Sequence, residues 1–329
     1  MGPRGWCSTT VPRNTRRHRR HNWRQNRIDG SPSTTTSARV ACWPMDIALR
    51  PGTPDDAGIC GRICYSAFRS IAAAHNFPTD FPTPEAAIET LAQLFAHPGF
   101  YSVVAEAEGR IVGSNFLDER GQVCGVGPAS VDPAVQNRGI GRRLMLDVMR
   151  RGAARGAPSV RLLQIAYHNR SLALYATLGF EVRDLLGCLQ GPPPRVEIPG
   201  YRVRQATPAD LDACNTLCRA IHGHDRGGEL ADGISLGTAM VVEHGGRITG
   251  YASGIGLYNH AVGECNEALK ALIASAKRIE STGVLVPTTN AELFGWCLRN
   301  GLRIVDLRTL MTTGLYSSPR GAYLPAILY

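Results

Sequence analysis

The chain has 329 residues, 43% of them hydrophobic and 19% charged, which is an ordinary globular balance and is long enough for about two domains. A net charge of +9 would suggest a nucleic-acid binder if it were spread over the chain. Most of it lies in residues 1–44, which contain nine Arg, no Lys and one acid. The rest of the chain is nearly neutral, so its composition does not indicate a basic DNA-binding face. The sequence has no run of 18 apolar residues, so neither a transmembrane helix nor a membrane partner is predicted.

Residues 1–44 contain no Leu and a single Ile, and they are rich in Arg, Ser, Thr and Pro. Such a segment buries too little apolar surface to offset the entropy of ordering its backbone, so we predict that it is disordered. Three interpretations are open: a basic tail that touches nucleic acid, an Arg-rich transit peptide, and sequence upstream of a true start at Met45. The lack of an apolar helical stripe weakens the transit interpretation. We favour the upstream extension, with a solvated tail as the next alternative.

Ten cysteines are scattered along the chain, and no secretory apolar region is found at the N-terminus. A reduced, cytoplasmic setting is the simplest interpretation. Two pairs on predicted helices, Cys60/Cys64 and Cys214/Cys218, have a four-residue spacing that could suit zinc. Small buried residues on a helix face are favoured over a metal site for both pairs, so no metal is predicted.

Two domains are predicted on either side of a proline-rich linker. Three consecutive prolines within residues 191–195 forbid helix and favour a stiff extended linker at residues 191–199. The segments before and after it, residues 45–190 and 200–329, open with the same residues at an offset of 154, which indicates an internal duplication. The repeated residues are Arg50, Thr53, Pro54, Asp56, Cys60 and Cys64, which recur as Arg204, Thr207, Pro208, Asp210, Cys214 and Cys218.

The predicted elements of the first domain are strands and helices, with three strands in succession in the middle. An alternating strand at residues 47–50 leads to Thr53, a good N-cap, and Pro54, which suits the first helical position. The further elements are a helix from Thr83 to about residue 97, strands at 100–107, 110–118 and 122–132, a helix at 140–155, a strand at 159–166, a helix at 170–178 and a strand at 180–189. This order predicts an α/β fold in which each domain is a twisted mixed sheet flanked by helices.

A glycine-containing loop between a strand and a helix is the most informative stretch of the chain. The strand ends at Asp132, and a loop with Gly139 and Gly141 opens the helix. Such a helix start leaves backbone N–H groups without intrahelical partners, and together with the helix dipole they form a site for phosphate or pyrophosphate. Glycine also lets a ligand approach without a Cβ atom in the way. Positive charge at this site would come from Arg138, Arg142 and Arg143.

The pattern Gln136-x-x-Gly139-x-Gly141 after a strand resembles the acetyl-CoA pyrophosphate loop of the GNAT N-acetyltransferase superfamily. It is not a Walker loop, which needs Gly-Lys-Ser/Thr, nor a dinucleotide fingerprint, which needs an acid after a second strand. The resemblance implies that acetyl-CoA is the acyl donor and binds along this loop. The residues that it assigns to acetyl-CoA binding are Val131, Gln136, Asn137, Arg138, Gly139, Ile140, Gly141, Arg142, Arg143, His168, Asn169 and Ser171.

A second stretch agrees with the first. Residues 168–180 resemble the segment Asn-x-x-Ala-x-x-Leu-Tyr-x-x-x-Gly-Phe of the same superfamily, and Tyr175 falls on the family's tyrosine. His168 stands where the family usually has Asn, which leaves open whether His168 or Asn169 meets the pantetheine arm. The resemblance covers residues 45–190 and, weakly, residues 200–329.

The resemblance implies an enzyme that transfers an acetyl group to a primary amine of a small molecule or a protein. The family polarises the thioester carbonyl with a backbone N–H on the strand that holds Val131, and Tyr175 resembles the general acid for the departing thiolate. An amine is mostly protonated at neutral pH, so a base is needed, and Asp118, Glu119, His168 or an ordered water are the candidates. Structural alternatives stay open: a polar hairpin corner for Asp118 and Glu119, and a core aromatic for Tyr175.

Neither the acceptor amine nor the oligomeric state follows from the sequence, and a homodimer stays open. Two other functions are weighed against the enzyme. One is an acetyl-CoA sensor without turnover, and the other is a nucleic-acid binder that uses the basic tail. The enzyme is favoured over both.

The second domain is predicted to keep the fold and to lack a cofactor site. Between the hairpin glycine and the central helix it has 17 positions (250 to 267) against 27 in the first domain (113 to 140), too few for a full strand and phosphate loop. Asn266 is a good N-cap for its helix, and Glu264 would repel a pyrophosphate. Cys297 stands in the place of Tyr175. We expect this domain, with residues 321–325, either to wall the acceptor cleft of the first domain or to serve only as a stability partner.

Overall fold

The computed structural model describes residues 46–328, and the predictions made for residues 1–44 lie outside them. The described chain mixes helices with strands, some of them in consecutive runs, which is the mixed α/β class that the sequence predicts. Within residues 46–328, no helix combines the length and the apolarity needed to cross a bilayer.

The first half follows the predicted order, with one strand divided. Its strands are β1 (Ile47–Pro51), β2 (Phe100–Ala107), β3 (Arg110–Asp118), β4 (Cys124–Val126), β5 (Ser130–Val131), β6 (Ser159–Ile165) and β7 (Glu181–Gln190). Its helices are α1 (Ala57–Ala74), α2 (Pro84–Ala96), α3 (Ile140–Ala154) and α4 (Asn169–Thr177). The strand predicted at 122–132 is the two strands β4 and β5, because Pro128 between them lacks the N–H that would continue the pairing.

The second half repeats much of this order after the proline-rich segment. Its strands are β8 (Arg202–Gln205), β9 (Met240–His244), β10 (Arg247–Ala252), β11 (Ala261–Gly263), β12 (Val284–Pro287), β13 (Arg303–Gly314) and β14 (Ala322–Leu324). Its helices are α5 (Leu211–His222), α6 (Gly227–Ser235), α7 (Asn266–Ser275) and α8 (Ala291–Arg299). A single short strand, β11, precedes α7, as the reduced spacing in the sequence indicates.

The larger of the two described sheets contains strands from both halves. Its order is β1-β2-β3-β4-β6-β13-β7-β12, with β5 paired to β3, and the smaller sheet has the order β14-β11-β10-β9-β8. β13, from the second half, lies between β6 and β7 and is antiparallel to both. β7, from the first half, lies between β13 and β12. Each half therefore contributes its last long strand to the other, and the larger sheet does not divide at the predicted linker.

The two halves repeat one partly buried ion-pair network, which supports the duplication. Arg50 donates to Asp56 through Nη1 at 2.7 Å and Nη2 at 2.8 Å, and to Glu106 through Nε at 2.7 Å. In each half the aspartate also accepts a hydrogen bond from the backbone N–H of the threonine three residues before it. The second half makes the same three arginine bonds, each at 2.8 Å, with the residues Arg204, Asp210 and Glu243.

Asp56→Asn is expected to lower the free energy of unfolding by about 1–2 kcal/mol at neutral pH. The hydrogen bonds from Arg50 lower the pKa of Asp56 from 3.8 to about 2, against the opposing effect of burial. Because the folded pKa lies below the unfolded one, the carboxylate contributes stability above about pH 4, and this contribution is lost as the pH falls through 2. Arg50 is 36% exposed, so solvent screening limits the gain.

Urea unfolding at pH 7 and at pH 3 measures this contribution. The matched control is Asp55→Asn, because Asp55 is an exposed acid in the same turn and should change stability by less than about 0.5 kcal/mol. The prediction is contradicted if Asp56→Asn and Asp55→Asn are equally stable at pH 7, or if their difference does not shrink at pH 3.

Candidate active site

A wedge between β5 and β6 is the central feature of the site. β4 runs parallel to β6 and pairs with it from Cys124 to Val126. After Gly127 and Pro128 the chain leaves β6, and β5 pairs with β3 instead. β5 and β6 therefore diverge, and the space between these two strands forms part of a cavity of about 540 Å³. The wedge therefore leaves one edge of β5 open to a ligand.

The register of β5 turns the N–H of Val131 into the wedge. Val131 lies opposite Gly113 in the antiparallel pair with β3, and Asp132 donates its N–H to the carbonyl of Val112 at 2.9 Å. Hydrogen-bonded and non-hydrogen-bonded pairs alternate along an antiparallel ladder, so the N–H of Val131 points away from β3. A carbonyl oxygen held in the wedge could accept a hydrogen bond from it.

The N-terminus of α3 opens into the same cavity. The loop before it needs two left-handed residues, Asn137 with φ 65° and the N-cap Gly139 with φ 81°. The N–H groups of the first turn have no intrahelical partners, and with the helix dipole they favour an anion. The opposite face of the helix fixes its position, because Leu144, Met145 and Val148 are buried in the core beneath the sheet.

Arg170 ties the loop before α3 to the start of α4. Its Nη2 donates to Gln136 Oε1 at 2.9 Å, and its Nη1 donates to Asn137 Oδ1 at 3.1 Å. Gln136 in turn donates from Nε2 to the carbonyl of Val131 at 3.1 Å. Arg170 and Arg142 both line the cavity and place two positive charges at this end of it. No role was predicted for Arg170 from the sequence, although a cationic side chain at the start of α4, facing the glycine-containing loop, was a usable signal.

The structure brings most of the residues predicted to bind acetyl-CoA to one cavity. Those that line it are Val131, Gln136, Asn137, Gly139, Ile140, Gly141, Arg142, His168 and Ser171. Arg138, Arg143 and Asn169 are not among the lining residues. Arg143 is held elsewhere, because its Nη1 donates to the carbonyl of Ile47 on β1 at 2.8 Å.

Tyr175, on α4, lines the cavity as a half-buried side chain. Burial raises the pKa of Tyr175 to about 12, so the phenol stays protonated at physiological pH. Within residues 46–328, no hydrogen bond to its hydroxyl is found. The group is therefore able to donate a hydrogen bond to a ligand in the cavity.

His168, at the N-cap of α4, also lines the cavity. Its Nε2 is buried and has no hydrogen-bond partner among the described residues. Burial, and after it the positive charge of Arg170 and the neighbouring His75, lowers the pKa of His168 below 6.5. The imidazole is thus neutral at pH 7 and can accept a proton.

Asp118 and Glu119, predicted as candidate bases, are not brought to the cavity. Asp118 Oδ2 pairs with Arg120 Nη2 at 2.6 Å. Glu119 is held by Arg151 at 2.7 Å and by Arg155 at 3.2 Å. Neither acid lines the cavity, and both carboxylates are used in ion pairs that fix the corner after β3. We therefore withdraw them as bases, and the structural alternative of a polar hairpin corner describes them.

The cavity lining also contains a buried charged group that was not predicted from the sequence. Asp80, between α1 and α2, and Arg308, on β13, both line the cavity. Arg308 Nη2 donates to Asp80 Oδ1 at 2.5 Å and to Asp306 Oδ2 at 2.9 Å. No local pattern joins positions so far apart in sequence, so this cluster is visible only in the tertiary structure.

The second half supplies part of the cavity wall. Leu257 and Tyr258 after β10, and Ile327 and Leu328 near the C-terminus, line it together with Arg308. The segment 321–325, expected at this cleft, lies elsewhere. Most of that segment is β14, which pairs with β11, and the residues that reach the cavity come just after it.

The second half does not present an equivalent wedge. Gly263 on β11 corresponds to Val131, because Gly263 lies opposite Gly250 as Val131 lies opposite Gly113. The edge of β11 that corresponds to the open edge of β5 is paired with β14, which also packs against β12. The chain's own strand therefore occupies the position where a ligand would bind in the first half.

The full chain is expected to bind one acetyl-CoA, because β14 fills the corresponding position in the second half. Isothermal titration calorimetry on the purified chain measures the stoichiometry. The variant Gly139→Asp is expected to bind acetyl-CoA weakly at the loop before α3. Any binding that it retains at wild-type affinity would therefore have to come from the second half. Two sites of similar affinity per chain would contradict the prediction.

One group of buried side chains in the second half could hold a metal ion by distance alone. The ligand atoms of Cys218, His222 and His260 lie within 4.8 Å of one another, and none of the three residues lines the cavity. Burial first, and then the positive neighbours that include Arg226, lower the pKa of both histidines well below 6.5. Distance is the single observation that favours a metal here, so we assign none to this group.

Sequence comparison matches the first half to a known family. Residues 67–180 match the model described as the Acetyltransferase (GNAT) family. The chain is 27% identical over 152 residues to the Uncharacterized N-acetyltransferase YjgM of Escherichia coli (strain K12), and the match covers 44% of this chain and 89% of that protein.

Structural comparison extends the likeness to both halves. A proposed acetyltransferase from Pyrococcus horikoshii superimposes with a TM-score of 0.65 at 17% identity, over 86% of this chain and 92% of that chain. A tandem GNAT protein from the clavulanic acid biosynthesis pathway superimposes with a TM-score of 0.52 at 14% identity, over 83% of this chain and all of that chain (100%). At these identities the likeness shows the fold, which is a tandem of two GNAT-like units.

Proposed function

We propose that the chain, whose residues 67–180 match the GNAT acetyltransferase family, transfers an acetyl group from acetyl-CoA to a primary amine. The observation that carries the proposal is the wedge between β5 and β6. One backbone N–H, that of Val131, faces into this wedge, which opens on the same cavity as the N-terminus of α3 and Tyr175. A donor for the thioester oxygen, an anion site and a donor for the leaving sulfur thus share one cavity.

The charge of the cavity supports a CoA pyrophosphate at the N-terminus of α3. The free N–H groups of the first turn, Arg142 and Arg170 converge there, and all are suited to phosphate oxygens. The pantetheine arm would extend from this point along the open edge of β5, whose backbone groups can pair with its amides. The thioester carbonyl then reaches the N–H of Val131, which stabilises the charge that develops on the oxygen.

The reaction requires that the amine nitrogen lose two protons. The nitrogen attacks the thioester carbon, the C–S bond breaks, and CoA leaves as a thiolate. One proton passes from the ammonium group to His168 Nε2 and on to solvent, which the neutral imidazole permits. The other proton ends on the CoA sulfur, and Tyr175 donates a hydrogen bond to that sulfur as it departs.

Incubation of the purified chain with acetyl-CoA and a panel of primary amines tests the function. Release of free thiol, together with acetylated amine identified by mass spectrometry, is the expected result. Binding of acetyl-CoA without either product would indicate a sensor and would contradict the proposal.

Gly139→Asp is expected to weaken acetyl-CoA binding by about 10- to 100-fold, or roughly 1.4–2.8 kcal/mol. The added carboxylate would lie beside the pyrophosphate, where like charges repel. A Cβ atom at this position meets no atom within 4 Å, so the cost is electrostatic apart from the strain of φ 81°. Gly139→Asn is the matched control, because asparagine has the same shape and the same backbone strain without the charge. Equal affinities of the two variants in calorimetry would refute the assignment of the pyrophosphate to this loop.

A further inference from the structure

We propose that the acceptor is a primary amine with a single positive charge and an apolar body, and that its ammonium group binds the carboxylate of Asp80. The inference rests on the proposed function, because it assigns the second substrate of the same cavity. Four features of the cavity support it: the charge at Asp80, the charges of both signs in its lining, the chemistry of its walls, and the absence of a place for a second charged group.

The cluster at Asp80 carries one unmatched negative charge. Two carboxylates, Asp80 and Asp306, surround the single guanidinium of Arg308, and the three side chains are only 7%, 6% and 2% exposed. Asp306 is held at both oxygens, by Arg308 Nε at 3.1 Å and Nη2 at 2.9 Å. Asp80 uses only Oδ1, and its Oδ2 makes no hydrogen bond to any residue in the range 46–328. A buried carboxylate with an unused oxygen favours a cationic ligand.

The cavity lining carries charges of both signs. Arg142, Arg170 and the N-terminus of α3 favour the phosphates of CoA, whereas Asp80 is the only acid among the lining residues in the range 46–328. The phosphates of CoA and the ammonium of the acceptor are therefore drawn to different groups of the lining.

Much of the rest of the cavity lining is apolar. Helices α1 and α2, the segment between them and the second half of the chain all contribute apolar side chains to it. Among these side chains are Phe68, Ile71, Phe81, Leu94, Leu257 and Ile327. An aromatic or branched aliphatic body would bury its surface against these side chains, whereas a polar body would lose hydration without compensation.

The same residues disfavour two common classes of amine. An amino acid carries a carboxylate, and the cation beside Asp80, Arg308, is already placed between two acids. A polyamine carries a second ammonium group, and residues 46–328 contribute no acid other than Asp80 to the lining. The second charge of either class would be buried without a partner, which is costly.

Calorimetry on the full chain saturated with CoA tests the inference independently of turnover. The probes are 2-phenylethylamine and its neutral isostere 2-phenylethanol, which differ in the ammonium group alone. We expect 2-phenylethylamine to bind the wild type at least about 10-fold more tightly. In Asp80→Asn that preference should disappear while the affinity for 2-phenylethanol stays the same, which also shows that the variant cavity is intact. The matched control Asp55→Asn, an exposed acid outside the cavity, should behave as wild type.

Turnover with acetyl-CoA separates this inference from the proposed function. We expect kcat/KM for 2-phenylethylamine to exceed the values for L-phenylalanine and 1,4-diaminobutane by about 100-fold or more. Binding of 2-phenylethylamine at Asp80 without acetylation of any amine would overturn the function and keep the site. Preferential turnover of L-phenylalanine or the diamine, or equal affinity of the wild type for 2-phenylethylamine and 2-phenylethanol, would overturn the inference and leave the acetyltransferase function standing.

Discussion

Tyr175→Phe is expected to lower kcat by about 10²- to 10³-fold and to leave the affinity for acetyl-CoA within about threefold of wild type. The substitution removes the hydroxyl group alone, and this hydroxyl makes no hydrogen bond to another residue in the described part of the chain. Burial raises the pKa of Tyr175 to about 12. A thiolate whose thiol has a pKa near 8.5 is a weaker base than this phenolate, so in the proposed reaction the phenol donates a hydrogen bond to the departing sulfur and keeps its own proton. That bond forms only as the C–S bond breaks, so its loss affects kcat rather than binding.

Tyr101→Phe is the matched control for this variant. Its hydroxyl donates to Asp147 Oδ2 at 2.7 Å, and Tyr101 does not line the cavity. Steady-state kinetics and calorimetry on both variants separate the effects on kcat from those on binding. Wild-type turnover in Tyr175→Phe would assign Tyr175 to the core, which is the structural alternative.

A chain reduced to residues 45–199 is expected to lose cooperative unfolding and measurable acetyl-CoA binding. β6 and β7 do not pair with each other, because β13 lies between them and pairs with both. In this arrangement Leu310 on β13 lies opposite Leu163 on β6 and is fully buried. Without β13, the edge of β6 would expose unpaired backbone groups and apolar side chains, a combination that favours aggregation. The wedge depends on β6 for one wall, so the binding site would be lost with the sheet.

Circular dichroism on heating measures the loss of cooperative unfolding, and calorimetry measures the loss of acetyl-CoA binding. A chain of residues 45–329 is the reference for both. Co-expression of residues 200–329 as a separate chain is the control, because β13 of that chain can still insert between β6 and β7 of the fragment. We expect the pair to recover binding. A fragment of residues 45–199 that binds acetyl-CoA as tightly as the reference would show that β13 is dispensable, contrary to the strand order.

The amino-acid sequence by itself determined the features that depend on neighbouring residues. The loop before α3, which we propose binds phosphate, was predictable because its geometry is local: Gly139 adopts φ 81°, which favours glycine, and the helix start follows at once. The duplication was predictable because Arg50 and Asp56 recur at a constant offset as Arg204 and Asp210. Tyr175 was predicted as a site residue because its segment resembles a known family, and Tyr175 does line the cavity.

The tertiary structure decided the features that depend on partners distant in the sequence. Glu119 could be proposed as a base because an acid after a strand suits that role, but Arg151 and Arg155 on and just after α3 use its carboxylate in ion pairs. Asp80 received no assignment, because its significance comes from Arg308, which lies 228 positions away. Charge and burial at such sites are properties of the assembled molecule, and one segment of sequence does not contain them.

The exchange of β7 and β13 is the clearest case of this kind. Both strands carry apolar residues buried on the same sheet, so either pattern satisfies the rules for a strand that pairs with β6. The periodicity of a strand reports which faces are buried and not which neighbour buries them. Only the packing of the whole chain selects β13 as the neighbour of β6, and that selection brings Arg308 to the cavity of the first half.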